Sequence, residues 1–254
     1  MSHRTSPSFG NPCRIANNIH FAFYLIRCNV QFMSKPFEKP ILSVDIVPLT
    51  LSEGRLCVLR AIRAAEPFAG RAALIGGYVH VDEDAHLGET ARRVLATKAG
   101  LTNLYVEQLS TFSGASRDPR GWSASVAYFS LSPVAILLPA LEIDSLELQP
   151  VDEAGGMPFD HDLILASAVE RLRGKGAYSD LPARFLGPEF TLAELHRVYE
   201  IVLDEKLNID AFRRKVMERD FLADTGQRRR EPGANRPSLL YQLKQGYTLF
   251  DRRI

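Results

Sequence analysis

Cysteine is scarce in this chain. The 254 residues hold three, Cys13, Cys28 and Cys57, odd in number and without the close spacing of a zinc or redox motif. That pattern argues against a disulfide framework and fits a reducing cytoplasm. Charge of one sign is lacking too: 31 Lys or Arg stand against 30 Asp or Glu, a formal net charge of +1. No global field draws in nucleic acid or membrane, so such a partner has to be met by a local patch. Long hydrophobic runs are also missing. Ile19 to Phe32 is apolar in part, but His20, Arg27, Asn29 and Gln31 interrupt it, and it is too short to cross a bilayer or serve as a signal. A membrane is therefore not an expected partner. What the chain does have is core: 46% of its residues are hydrophobic, enough for one large domain or two ordinary ones. Met33 opens the sequence MSKPFEKP, an ordinary start for a cytoplasmic protein, so residues 1–34 read as a disordered or mis-called N-terminal extension.

From Ile41 the pattern becomes regular. Ile41 to Leu49 is rich in β-branched residues, Ser52-Glu53-Gly54 supplies a turn, and Leu56 to Leu59 returns as a second strand. Tyr105 to Phe112 and Ser123 to Leu131 read as further strands. Leu163, Ile164, Ala168 and Leu172 follow at helical spacing, with Gly174 and Gly176 to close the helix. This order predicts an α+β sandwich over residues 35–180.

Its centre is Gly76 to Leu101, GGYVHVDEDAHLGETARRVLATKAGL. A glycine pair follows an apolar run, an acidic loop comes next, and Leu87, Ala91, Val94 and Leu95 then recur at helical spacing. Asp84 is the expected N-cap and Gly100 the left-handed C-cap. The stretch resembles the Nudix box, G-x5-E-x7-R-E-U-x-E-E-x-G-U, in which helix glutamates hold a divalent metal against a diphosphate. Aligned from its end, Gly100 takes the last glycine and Arg93 the arginine, and the glutamate positions fall on Val94, Thr97 and Lys98. A methyl pair, a hydroxyl and an ammonium do not make a hard-cation site. Six residues on from Gly77 lies Glu83, and Arg93 comes two places later than the motif allows, so the acidic loop is longer here. His80, Asp82, Glu83, Asp84 and His86, with Glu89 in the helix, are ligand types. A solvated loop leading into a helix N-terminus is the better account of them. No metal and no catalytic residue is expected.

The loop SRDPRGW, Ser116 to Trp122, sets two guanidinium forks and an indole beside a proline-fixed turn. That suits a phosphate grip with ring stacking, and equally a hairpin loop in which Arg117 pairs with Asp118. The chemistry alone leaves the two even.

Leu181-Pro182 to Gly187-Pro188 reads as a linker into a second domain, residues 181–254. Thr191 and Glu194 form a capping box, and Leu192, Leu195, Val198, Tyr199, Val202 and Leu203 share one face. A second helix near Ile209 to Arg219 turns Phe212, Val216 and Met217 inward and leaves Arg213, Arg214 and Lys215 outside. Two strands, Phe221 to Ala223 and Leu239 to Leu243, flank a basic tip with Arg228, Arg229, Arg230, Asn235 and Arg236. From Lys206 to Arg236 there are nine Lys or Arg against five Asp or Glu. Helix, turn, basic helix and basic ribbon make a winged helix-turn-helix, and these eight residues are its expected contacts to double-stranded DNA.

The run FTLAELHRVYEIVLDEKLNIDAFRRKVMERDFL, the wing ending NRPSLLYQL, the SRDPRGW loop, the glycine pair and Phe159-Asp160-His161 together resemble the Nudix-related transcriptional regulators of the NrtR type. The likeness runs in matching order from about Lys35 to Leu243. It implies a homodimeric repressor controlling NAD metabolism, in which a Nudix-like domain binds ADP-ribose or a related nucleotide without hydrolysing it. The resemblance tips the SRDPRGW loop toward effector binding, and with Arg71 as a further cation upstream the expected effector set is Arg71, Gly76, Gly77, Arg117, Asp118, Arg120 and Trp122. In the wing, Asn235 stands where the family often has glycine and Ser238 where it has alanine. The rival expectation is an ADP-ribose or nucleoside-diphosphate hydrolase with an accessory domain. A third, a protein-interaction module, leaves the basic residues without a task.

Overall fold

The computed structural model describes residues 39–230, 236–246 and 248–254. The expected N-terminal extension, Cys13, Cys28 and Asn235 lie outside the described residues. The hairpin is β1 (Ile41–Ser52) and β2 (Arg55–Ile62), joined through Glu53 and Gly54 at φ 52° and 76°. Two positive φ angles in a two-residue loop match the twist of the flanking strands, and glycine takes that region freely.

β1 is the middle of the sheet. It is buried without a break from Val44 to Thr50, because both of its faces are covered. β3 (Ala72–Ala73) lies against β2 and β4 (Ile75–Tyr78) against β1, with Asp45 opposite Gly76. β5 (Tyr105–Gly114) pairs with β6 (Ser123–Leu131), and β6 runs parallel to β1 from Ile41–Ser123 to Leu49–Leu131. α1 (Leu87–Ala99) covers one face, α2 (Val134–Leu137) is a single turn, β7 (Leu146–Pro150) pairs with β2, and α3 (His161–Gly176) covers the other face. Strand alternation sorts the core: Val44 and Ile46 pack with Val94 and Leu95 of α1, while Val47 and Leu49 pack with Ile164 and Ala168 of α3. Helices on both faces of a mixed sheet are the expected sandwich.

Gly100 ends α1 in the left-handed region at φ 66°, as the sequence predicts. Asp84 does not cap the helix; His86 occupies that position. The Asp84 carboxylate accepts instead from Arg93 Nε and Nη2, Thr90 Oγ1 and the His80 amide. Two guanidinium bonds outweigh one backbone cap. Leu163 is 59% exposed, so the buried stripe of α3 is Ile164, Ala168 and Leu172.

In the C-terminal part, α4 (Leu192–Leu203) starts with the capping box as read: Thr191 Oγ1 accepts from the Glu194 amide and the Glu194 carboxylate accepts from the Thr191 amide. α5 (Ile209–Glu218) starts at Asn208, whose side chain accepts from the Ala211 amide. β8 (Leu222–Arg229) and β9 (Ser238–Leu243) pair antiparallel, with a register shift between Asp224 and Arg228. Phe190, Leu195, Tyr199, Phe212, Val216, Phe221 and Tyr241 make the core of this part. Met217, expected inward, is 55% exposed, because the buried pair Phe212 and Val216 already sets the face and the next residue turns away from it. Leu181 to Phe185, read as linker, is a 3₁₀ helix with Leu181, Pro182, Ala183 and Phe185 buried. Two stripes of α4 explain this. Val198 and Val202 pack with Phe185 and Leu172 in the sheet core, and Leu195 and Tyr199 pack in the winged-helix core. Residues 39–254 accordingly form one compact unit.

Candidate effector cleft and nucleic-acid interface

Two glycines shape the cleft. A Cβ on Gly76 would stand 2.2 Å from Asp45 Oδ1, and one on Gly77 would stand 2.7 Å from Val94 Cγ2. Only a strand without side chains passes between the Asp45 carboxylate and α1. Above it opens a cleft of about 460 Å³.

Of the predicted effector residues, Gly76, Gly77, Arg117, Asp118 and Arg120 line this cleft. Arg71 and Trp122 do not. The Arg71 guanidinium is drawn to the Gly156 carbonyl at 2.6 Å and lies 5.9 Å from the Phe68 ring centroid. Trp122 immediately precedes Ser123, which is fully buried at the start of β6, so strand alternation turns the indole outward and leaves it 51% exposed.

Arg117 and Asp118 do not pair with each other. Arg117 reaches Asp160 with two bonds, at 2.9 and 2.7 Å, and Asp45 with a longer one at 3.3 Å. Burial works against its charge, but the two carboxylates outweigh burial and raise its pKa. Asp118 takes Arg120 instead, through Nε at 2.9 Å and Nη2 at 2.6 Å. The Arg120 bonds, acting against burial, hold the Asp118 carboxyl below its ordinary range. The free edge of Arg120 donates to the Tyr78 hydroxyl.

His161 is buried at the base. Its Nδ1 accepts from the Leu74 amide at 3.0 Å, and its Nε2 faces Asp45 Oδ1 at 3.5 Å. Burial lowers its pKa against the pull of Asp45 and Asp160, and an accepting Nδ1 requires the neutral ring. The sequence marks Phe159-Asp160-His161 as a motif without assigning it roles. In the structure Asp160 anchors Arg117, and Phe159 lies in the cleft at φ 60°, edge-on to Phe68 with centroids 5.0 Å apart. A phenylalanine held in the left-handed region is a strained element at a site.

Arg63 and Lys98 also line the cleft, and the sequence does not single them out as site residues. Arg63 lies 4.9 Å over the Phe159 ring and donates Nε to the Pro67 carbonyl at 2.8 Å. Lys98 donates its ammonium to the Gly76 carbonyl. Arg63 stands in an unremarkable run, LRAIRAAEP, that carries no local signal.

His80, Glu83, Asp84 and Glu89 find partners within the loop and α1. His80 Nδ1 lies 3.1 Å from Glu83, Asp84 holds Arg93, and Glu89 accepts from the Ala85 amide at 2.8 Å. Among the described residues no three His, Cys, Asp or Glu side chains converge for a metal ion.

On the winged helix, Arg213 and Arg214 are exposed on α5 and Lys215 is half-buried. Neither arginine makes a side-chain hydrogen bond or ion pair among the described residues. Arg228, Arg230 and Arg236 are exposed around the wing, with Arg228 Nη1 3.5 Å from the Pro237 carbonyl. Arg229 is different: it turns back to the Glu194 carboxylate at the start of α4.

Residues 182–243 match the NrtR DNA-binding winged helix domain. Over 216 residues the chain is 33% identical to the ADPR responsive transcriptional repressor NtrR of Acinetobacter baylyi, covering 84% of this chain and 86% of that one. Its structure resembles Shewanella oneidensis NrtR crystallised with a 27mer DNA, with TM-score 0.78, 36% identity and coverage of 84% and 99%. A MutT/nudix family protein from Enterococcus faecalis shares the fold at TM-score 0.66, 24% identity and coverage of 82% and 88%. No helix among the described residues is long and apolar enough to cross a membrane.

Proposed function

The chain belongs to the NrtR family of Nudix-related transcriptional regulators, and from that premise we propose that it is a DNA-binding repressor whose Nudix-like part senses ADP-ribose or a related nucleotide. The observation that carries this reading is one compact unit holding both a cleft rimmed by cations and aromatic rings and a winged helix with bare arginines on α5. The rings suit a base and the cations suit phosphates. On the other part, Arg213 and Arg214 suit base edges and Arg228, Arg230 and Arg236 suit the backbone. Residues up to 180 serve the effector and residues from 181 serve the operator. The protein acts in the cytoplasm as a homodimer on two half-sites about one helical turn apart, and its regulon is NAD metabolism. ADP-ribose is bound and released intact.

The test is fluorescence anisotropy on DNA upstream of the protein's own gene, with and without ADP-ribose, beside formation of AMP and ribose 5-phosphate from ADP-ribose with Mg²⁺ or Mn²⁺. Operator binding that shifts with ADP-ribose and no turnover is the expected result. Metal-dependent turnover abolished by substituting Glu83 or Glu89, with no binding to DNA, would replace the repressor by a hydrolase.

A further inference from the structure

The Nudix fold implies a divalent cation beside the diphosphate, and the side chains at the three glutamate positions of this chain do not fit one. Val94 is 1% exposed and packs against Gly77. Thr97 donates its hydroxyl to the Arg93 carbonyl at 2.8 Å. Lys98 brings a positive charge of its own.

The charges in the cleft are unequally compensated. Arg117 is matched by Asp160 and Asp45, and Arg120 by Asp118. Lys98 and Arg63 make no ion pair among the described residues; each donates only to backbone carbonyls, Lys98 to Gly76 and Arg63 to Pro67 and Ala65. The two are near enough to repel. Lys98 is exposed as a residue, yet burial of its ammonium and then the charge of Arg63 lower its pKa, with Asp45 opposing. A pair of like charges facing one cleft stores unfavourable energy that a doubly anionic ligand would relieve, and in a partly desolvated site that relief exceeds its value in water.

We propose that Lys98 and Arg63 form the diphosphate seat of this cleft and supply, as fixed side-chain charge, what a bound metal supplies in the hydrolysing members of the fold. The inference rests on the effector reading above and adds to it a location and an independence from metal. An ammonium bonded to the Gly76 carbonyl also occupies the neighbourhood in which a cation would need an acceptor. Phosphate oxygens meeting the ammonium and a guanidinium gain charge-assisted bonds. Neither group polarises the bridging oxygen or activates a water as a metal does, so seating and hydrolysis are uncoupled.

Isothermal titration of the full chain separates the outcomes, with ADP-ribose in EDTA, ADP-ribose in Mg²⁺, and adenosine as the ligand without phosphates. Wild-type protein is expected to bind ADP-ribose equally in EDTA and in Mg²⁺. Lys98→Met and Arg63→Met should each weaken ADP-ribose about tenfold and leave adenosine unchanged, and Lys98→Arg should keep most of the affinity. Thermal midpoints near wild type exclude misfolding as the cause. If ADP-ribose binds only with Mg²⁺, or if both Met variants bind it like wild type, the diphosphate seat is refuted and the effector reading survives. If wild-type protein binds no ADP-ribose in either buffer, the effector reading fails and takes the seat with it.

Discussion

Arg93 closes on Asp84 across nine residues of sequence, donating Nε to Oδ1 and Nη2 to Oδ2, both at 2.7 Å. The pair ties the acidic loop to the middle of α1.

Arg93, against burial and with help from the His80 amide and Thr90, holds the Asp84 carboxyl far below its ordinary range. A carboxylate with a depressed folded pKa stabilises fully above its unfolded value of about 3.9 and progressively loses that contribution as pH falls toward the folded value. Asp84→Asn should therefore melt lower than wild type at pH 7, and the gap should narrow below about pH 4. A gap in thermal midpoint that stays constant from pH 7 to pH 3 would refute the linkage.

Gly77 and Val94 should behave as a coupled pair. Gly77→Ala places a methyl 2.7 Å from Val94 Cγ2 and forces β4 from α1, at about 1–3 kcal/mol. Val94→Ala opens the space it needs. In urea unfolding the double variant should be less damaged than the sum of the singles, and strict additivity would show that the glycine is there for another reason.

Arg117 reads in the sequence as a ligand grip, but its partners make it structural as well. Arg117→Ala strands Asp45 and Asp160 with like charges and should cost on the order of 3 kcal/mol of stability. Arg120→Ala strands one buried carboxylate, Asp118, rather than two, and leaves it the bond from the residue 120 amide, so it should cost less. Equal denaturation midpoints for the two variants would contradict this ranking.

On DNA the two basic groups should fail differently. Ala at Arg213 or Arg214 should cost about 1–3 kcal/mol on the operator and narrow the gap to random duplex. Ala at Arg228 or Arg230 should weaken both duplexes together and flatten the salt dependence by about one unit of slope for each phosphate left without its cation. Arg229→Ala should act mainly on folding, since Arg229 is paired with Glu194. Anisotropy across a salt series reads all of these, and operator affinity unmoved by the four exposed arginines would reassign this part to protein contacts.

What could be read in the sequence was local. Thr191 with Glu194, Gly100 and the Glu53-Gly54 turn act within a few residues, so their spacing alone declares them. Asp84 misled because a cap is a local reading and its stronger partner, Arg93, sits nine residues on. Met217 misled because a helical period fixes a face only to within one neighbour. The cleft was half legible. The SRDPRGW loop stands out by composition, but Arg63, Phe159 and Asp45, from the end of β2, the turn before α3 and the middle strand β1, meet only in the folded chain, and no window of sequence contains that. Lys98 shows in the sequence only as the absence of a glutamate; its bond to the Gly76 carbonyl needs the fold.

The two-sided packing of α4 bears on how such a protein can change over time. Leu195 and Tyr199 complete one core while Val198 and Val202 complete the other, so no peptide bond near residue 181 divides the molecule cleanly. A recombination event that exchanged the C-terminal part for another regulator's would leave an unmatched apolar stripe on both fragments. New operator preferences are therefore more accessible by substitution on the outer face of α5, one codon at a time, than by shuffling whole modules.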